Sequence, residues 1–194
     1  MAEERKPKIL VFGGSLRRES LNKKAAAAAA AFARAAGAET TLVDLADYRM
    51  PVYDGDLEDA QGVPEPAKAL KALMKSHDGF LISTPEYNTS IPGPLKNVID
   101  WVSRQEEGEA PLACFAKKTA ALISASPGAL GGIRALAVVR AILENLGTLV
   151  LPQQVAISKA HEAFAADGTF ADPKRAAAVK NVASGLVDLA RRMS

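Results

Sequence analysis

The chain has 194 residues, is 48% hydrophobic and carries a formal net charge of +2. It is long and apolar enough to fold around a substantial core as a single domain over residues 1–194, and its charge is too small to point to nucleic acid as a partner. One cysteine, Cys114, excludes an internal disulfide framework and a metal site built from cysteines alone. No apolar run approaches the length of a membrane span, and no apolar signal region precedes the first strand-like run, so a soluble cytoplasmic protein is expected.

Strand-like and helix-like segments alternate from end to end. The first apolar run, Ile9-Leu10-Val11-Phe12, reads as a buried strand. It leads through Gly14-Ser15-Leu16-Arg17-Arg18-Glu19-Ser20-Leu21-Asn22 into an alanine-rich stretch that predicts a helix over 21–36. Further strands are expected at 40–44, 79–84, 119–124 and 148–157, and further helices at 66–75, 94–104, 133–146 and 173–192. Residues 46–63, rich in Asp, Gly and Pro, read as a long surface connection. Strands of continuous apolar character, each followed by a helix, predict a parallel sheet buried on both faces, with right-handed crossovers.

The helices carry core-facing stripes. Leu95, Val98, Ile99 and Val102 form one; Val179, Val182, Leu186 and Leu189 form another, behind an Asp172-Pro173 start. In the helix over 133–146, Leu136, Val138, Val139, Ile142, Leu143 and Leu146 cover an arc wider than one stripe. Two readings stand: the surplus face packs on a second copy, or the helix is deeply embedded in its own domain.

Three loops leave the carboxyl ends of predicted strands, where open parallel sheets bind ligands. In the first, Arg17, Arg18, Lys23 and Lys24 crowd a helix start and oppose its dipole, a conflict that a bound phosphate would remove. Neither Gly-Lys-Ser/Thr nor Gly-x-Gly-x-x-Gly is present, which leaves a terminal monophosphate held largely by side chains. The second loop, 84–97, is stiffened by Pro85 and Pro92 and offers the Tyr87 ring and the Asn88 amide. The third, Ser124-Ala125-Ser126-Pro127-Gly128-Ala129-Leu130-Gly131-Gly132, is rich in small residues. Together they suit a flat heterocycle with donors and acceptors along one edge.

These same strings, with Thr-Pro-Glu-Tyr-Asn-Thr-Ser-Ile-Pro-Gly-Pro-Leu-Lys-Asn-Val-Ile-Asp-Trp at 84–101 the most specific, resemble the NADPH-dependent FMN reductase family, nearest its quinone and chromate reductase branch. One departure is Ala116-Lys117-Lys118, where the family often has Gly-Lys-Pro. The resemblance implies a flavodoxin-like α/β/α sandwich with a five-stranded parallel sheet of order 2-1-3-4-5. It implies bound FMN, with Ser15, Leu16, Arg17, Ser20 and Asn22 at its phosphate. Pro85, Glu86, Tyr87 and Asn88 would border the isoalloxazine, and Ser124, Ala125, Ser126 and Gly128 its pyrimidine side. NADPH or NADH would be the co-substrate, and no ribose-reading motif selects between them.

A quinone, flavin, chromate, azo or ferric compound would be the acceptor, reduced by ping-pong transfer on a homodimer or homotetramer. The flavin carries the hydride, so no catalytic side chain and no metal are expected; main-chain N–H groups of 85–88 and 124–128 would stabilise charge on the reduced ring. The alternatives are an electron carrier, disfavoured by the charge of +2, and a module that kept the fold without the flavin. Arg104 is expected to serve its helix C-terminus rather than a nucleotide phosphate. His77 and His161 are expected as surface or loop residues, and Cys114 as a small buried hydrophobe. Trp101 would plug an interface or cover the flavin loop.

Overall fold

The strongest apolar runs of the sequence become the middle of a parallel sheet. The computed structural model describes residues 5–193. Strands β1 (Lys8–Gly13), β2 (Glu39–Asp44), β3 (Gly79–Thr84), β4 (Thr119–Ala125) and β5 (Leu149–Ile157) pair in the order β2-β1-β3-β4-β5, all parallel. This is the order the resemblance implied. The helices are α1 (Leu21–Ala35), α2 (Gly55–Gln61), α3 (Glu65–Ser76), α4 (Gly93–Val102), α5 (Ile133–Asn145) and α6 (Pro173–Met193).

Each sheet face has its own core. Ile9, Val11, Leu81, Ala121 and Ile123 pack under α1 and α6; Leu10, Phe12, Phe80, Ile82 and Leu122 pack under α3, α4 and α5. The alanines of α1, at 25, 26, 29, 30 and 33, are fully buried, and their small side chains bring that helix close to the sheet. Gly13 completes the approach: a Cβ there would lie 2.9 Å from the Lys23 nitrogen in the first turn of α1. Burial on both faces holds for β3 and β4 throughout. It fails for β2 and β5, which are edge strands with exposed positions, and Pro152 occupies the irregular stretch of β5 where no ladder hydrogen bond is needed.

The 46–63 connection differs from expectation. It begins within a 3-10 turn, Leu45–Asp47, and contains the whole of α2. Trp101 anchors it: the indole is fully buried beside Val63 and Ala67, donates to the Pro51 carbonyl at 2.8 Å, and meets the Tyr53 ring edge-on at 5.0 Å. It therefore packs inside its own domain instead of at an interface or over the flavin loop. Arg104 joins the same assembly. Its Nε lies 2.9 Å from both Glu58 carboxylate oxygens, and its guanidinium carbon sits 5.4 Å from the Tyr53 ring centre. Burial raises the Glu58 pKa, but the hydrogen bonds from Arg104 and Tyr53 outweigh it and leave the carboxyl below its usual value.

The wide apolar arc of α5 divides. Leu136, Val139 and Leu143 are buried, while Val138, Ile142 and Leu146 are half-buried against the same core. His77 is buried, against expectation: one ring nitrogen lies 2.6 Å from the Leu73 carbonyl, the other 2.8 Å from the Thr41 hydroxyl. Cys114 is buried as expected, and burial pushes its thiol up to about 11, too high to supply a thiolate at neutral pH.

Candidate active site

Beyond the carboxyl ends of β1, β3 and β4 lies a cleft of about 360 Å³. Ser15, Arg17, Ser20, Asn22, Pro85, Glu86, Tyr87, Ala125 and Ser126 line it, together with Glu19, Leu21, Pro127 and His161. Three loops far apart in sequence thus meet at one opening. Leu16 turns instead into a neighbouring apolar cavity of about 440 Å³, with Leu45, Tyr48, Met50 and Val98. Ser124 lies beneath the cleft: it is fully buried and donates to the Gly131 carbonyl at 2.8 Å. Asn88 and Gly128 are exposed and do not line the cleft.

The first loop is built to hold an anion. Ser20 caps α1, its hydroxyl oxygen accepting from the N–H groups of Asn22 and Lys23 at 3.2 and 3.4 Å. The Ser15 hydroxyl oxygen accepts from the Arg17 N–H at 3.3 Å. Both serines are buried, and each hydroxyl keeps its own proton to donate into the cleft. The cations divide differently from expectation. Arg17 lines the cleft, and Arg18 does not. Lys23 pairs with Asp44 at 2.6 Å along a separate groove, and Lys24 lies 3.7 Å from Glu19. Lys23 opposes the helix dipole but is compensated by that carboxylate.

Asn22 spends its side chain inside the protein. Its Nδ2 donates to the Ala125 carbonyl at 2.8 Å, while Oδ1 accepts from the Ser83 hydroxyl at 2.8 Å and the Ala125 N–H at 2.9 Å. Both acceptor lone pairs are used and one amide hydrogen remains. Asn22 therefore locks the first turn of α1 to the ends of β3 and β4, which fixes the cleft floor.

The second loop turns tightly. Tyr87 and Ser90 exchange main-chain hydrogen bonds at 2.9 and 3.0 Å around Asn88 (φ 49°) and Thr89 (φ 66°). Positive φ at both central positions is the primed turn that favours Asn followed by Gly. Glu86 points away from this turn: its carboxylate takes the Arg134 Nε–H at 2.6 Å and the Arg134 main-chain N–H at 3.1 Å, capping α5. The hydrogen bond from Arg134 is the largest influence on that carboxyl and holds it below its usual pKa. What Glu86 offers the cleft is its backbone.

Fewer main-chain donors remain than expected. The N–H groups of Tyr87, Ala125, Ser126 and Gly128 are taken by Ser90, Asn22, Ile157 and the Ser126 hydroxyl. Of the donors expected in 85–88 and 124–128, the N–H groups of Glu86 and Asn88 are left. His161 is the residue that sequence reasoning passed over. It follows β5, whose carboxyl end faces the same opening, but its turn carries no Gly-Pro signature. Among the described residues no cluster of side chains could hold a metal ion, and no helix is long and apolar enough to cross a membrane.

A flavin mononucleotide fits this donor set: hydroxyl protons, a guanidinium and a helix start at one end, and small residues with free amides at the other. Residues 7–162 match the NADPH-dependent FMN reductase family. The chain belongs to that family. It is an oxidoreductase that uses FMN and NAD(P)H. It is 37% identical over 146 residues to the quinone reductase of Escherichia coli K12, covering 75% of this chain and 74% of that one. It is 36% identical over 168 residues to an NAD(P)H-dependent FMN reductase of Pseudomonas aeruginosa, covering 86% of each. The solved flavoenzyme NAD(P)H:(acceptor) oxidoreductase FerB from Paracoccus denitrificans superposes with a TM-score of 0.82 at 32% identity, over 96% of this chain and 98% of that one.

Proposed function

We propose that the enzyme passes reducing equivalents from NADPH or NADH to a quinone, and to other small acceptors such as free flavin, chromate, azo or ferric compounds, by a ping-pong scheme. Bound FMN supplies the hydride chemistry. The protein's part is to hold and shape. Ser15 and Ser20 donate hydroxyl hydrogens to the phosphate, and Arg17 supplies charge. Asn22 acts at one remove, by fixing the loops that Ser20 and Ala125 belong to. Pro85, Glu86 and Tyr87 border the ring from one side, Ala125 and Ser126 from the other, and the buried Ser124 holds the Gly131 carbonyl beneath. The free Glu86 N–H group is the candidate for stabilising negative charge on the ring edge.

The observation that carries this reading is the pair of buried serine hydroxyls at the start of α1, each with an uncommitted proton beside Arg17. The Escherichia coli relative's name supports a quinone as acceptor. A homodimer or homotetramer in the cytoplasm is part of the proposal; the half-buried Ile142 and Leu146, which border a groove between α4 and α5, support the assembly, and light scattering at micromolar concentration reads it. The kinetic test is initial rates of NADPH oxidation at varied quinone. Parallel double-reciprocal lines are expected from a purified yellow protein. Intersecting lines contradict the ping-pong scheme, and a colourless protein that takes up no FMN contradicts the reading itself.

A further inference from the structure

The phosphate end of the cleft is short of positive charge. A phosphate monoester carries about −1.5 to −2 at pH 7. Among the described residues Arg17 is the one Lys or Arg that lines the cleft. The start of α1 adds about half a charge, part of it already taken up by the Ser20 cap. Glu19, also on the cleft wall, is an anion. Arg17 and the helix together leave the phosphate incompletely balanced in a partly desolvated site, which is unfavourable.

His161 lines the same cleft. It stands on a 3-10 turn, Ala160–Glu162, that is stapled to the β4 loop. Ser126 donates its N–H to the Ile157 carbonyl at 3.1 Å, Ala160 donates to the Ser126 carbonyl at 3.0 Å, and Lys159 to the Gly128 carbonyl at 3.3 Å. Ala160 and Ala163 are fully buried. The backbone carrying His161 is therefore fixed to the rim, while the imidazole itself is exposed and its Nε2 lies 3.2 Å from the Glu162 carboxylate. Turning from Glu162 to a bound phosphate would exchange one anionic partner for another.

We propose that His161, as an imidazolium, is the second cation of the phosphate site, and that it takes up a proton from solvent when the phosphate group enters. This rests on the phosphate reading above. An imidazole is the side chain that protonates near neutral pH, and an adjacent anion favours its charged form. The charged groups that share the cleft with the imidazole or touch it are Glu19, Glu86, Arg17 and Glu162. Glu86 is held by Arg134, and Tyr87 carries only a phenol.

The test compares FMN with riboflavin, which lacks the phosphate, on the full chain freed of flavin. Wild type should bind FMN the more tightly. His161→Ala should weaken FMN binding about tenfold, the worth of one charged hydrogen bond, and leave riboflavin within about twofold. Calorimetry at pH 7.5 in two buffers of different protonation enthalpy should show net proton uptake with FMN but not with riboflavin, and His161→Gln should abolish that uptake. Equal loss for both ligands, no loss for either, or uptake that persists in His161→Gln overturns the proposal. Arg17→Ala separates the two readings. If it erases the preference for FMN while His161→Ala does not, the phosphate site stands and the role of His161 falls. If wild type shows no preference for FMN over riboflavin, the phosphate reading falls and takes this one with it.

Discussion

Replacing Asn22 by Ala removes the bracket between the start of α1 and the ends of β3 and β4. The Ser83 hydroxyl and both main-chain groups of Ala125 lose their partners, and Ser83 and Ala125 are 0% and 2% exposed. Each buried polar group left unpaired costs about 1–3 kcal/mol. The vacated space adjoins the cleft, so one water can enter and recover part of that cost. A net loss of about 3 kcal/mol is expected, which for a chain of this size lowers the melting temperature by about 6–12 °C. Ser83→Ala is the control. It removes one donor while Oδ1 of Asn22 keeps the Ala125 N–H, so it should cost about 1 kcal/mol. The double variant should cost less than the sum, because both changes break the same hydrogen bond. Urea unfolding of the flavin-free protein followed by circular dichroism measures all three. A loss below about 1 kcal/mol for Asn22→Ala, or full additivity with Ser83→Ala, refutes the bracket.

Two further outcomes follow from particular contacts. Thr89 is a β-branched residue at φ 66°, so Thr89→Gly should raise stability by about 1 kcal/mol, read as a higher melting temperature; an unchanged or lower value contradicts strain in that turn. Glu109 accepts from Lys71 at 2.7 Å and Lys75 at 2.5 Å, and the Lys71 side chain is almost fully buried. Burial raises the Glu109 pKa, but the two ammonium groups and the Glu106 N–H outweigh it and hold the carboxyl at about 2, against 4.5 in the unfolded chain. A depressed folded-state value adds stability above pH 4.5 that disappears as pH falls towards 2. Glu109→Gln should therefore cost about 1–2 kcal/mol at pH 7 and flatten the acid limb of stability against pH; an unchanged slope between pH 4.5 and 2 contradicts the pairing.

The parallel sheet and the meeting of three loops at one opening were legible in the sequence, because the central strands are unbroken apolar runs and the loops leave their carboxyl ends; the strand order came only with the family resemblance that the loop strings carry. Helix α2 was not: of Gly55–Gln61 only Leu57 packs on the core, so there was no apolar period to read. Charge was legible only as content. The basic residues from Arg17 to Lys24 looked like one cluster, but helix geometry sends Lys23 to Asp44 and leaves Arg17 alone on the cleft. That Asn22 spends most of its side chain on Ser83 and Ala125 was not legible, because those partners lie 61 and 103 positions away. His77 was misread for the same reason, with Thr41 36 positions away. His161 needed only the rule already applied to the other strands, that ligands gather beyond carboxyl ends, extended to β5.

The central claim is that the buried serines and Arg17 receive the flavin phosphate. A crystal of the full chain grown with FMN tests it most directly. Phosphate density within about 3.2 Å of the Ser15 and Ser20 hydroxyls, with the Arg17 guanidinium turned towards it, is the expected result. Flavin density seated instead in the apolar cavity of Leu16, Leu45 and Met50, with the serine hydroxyls facing water, would contradict the account.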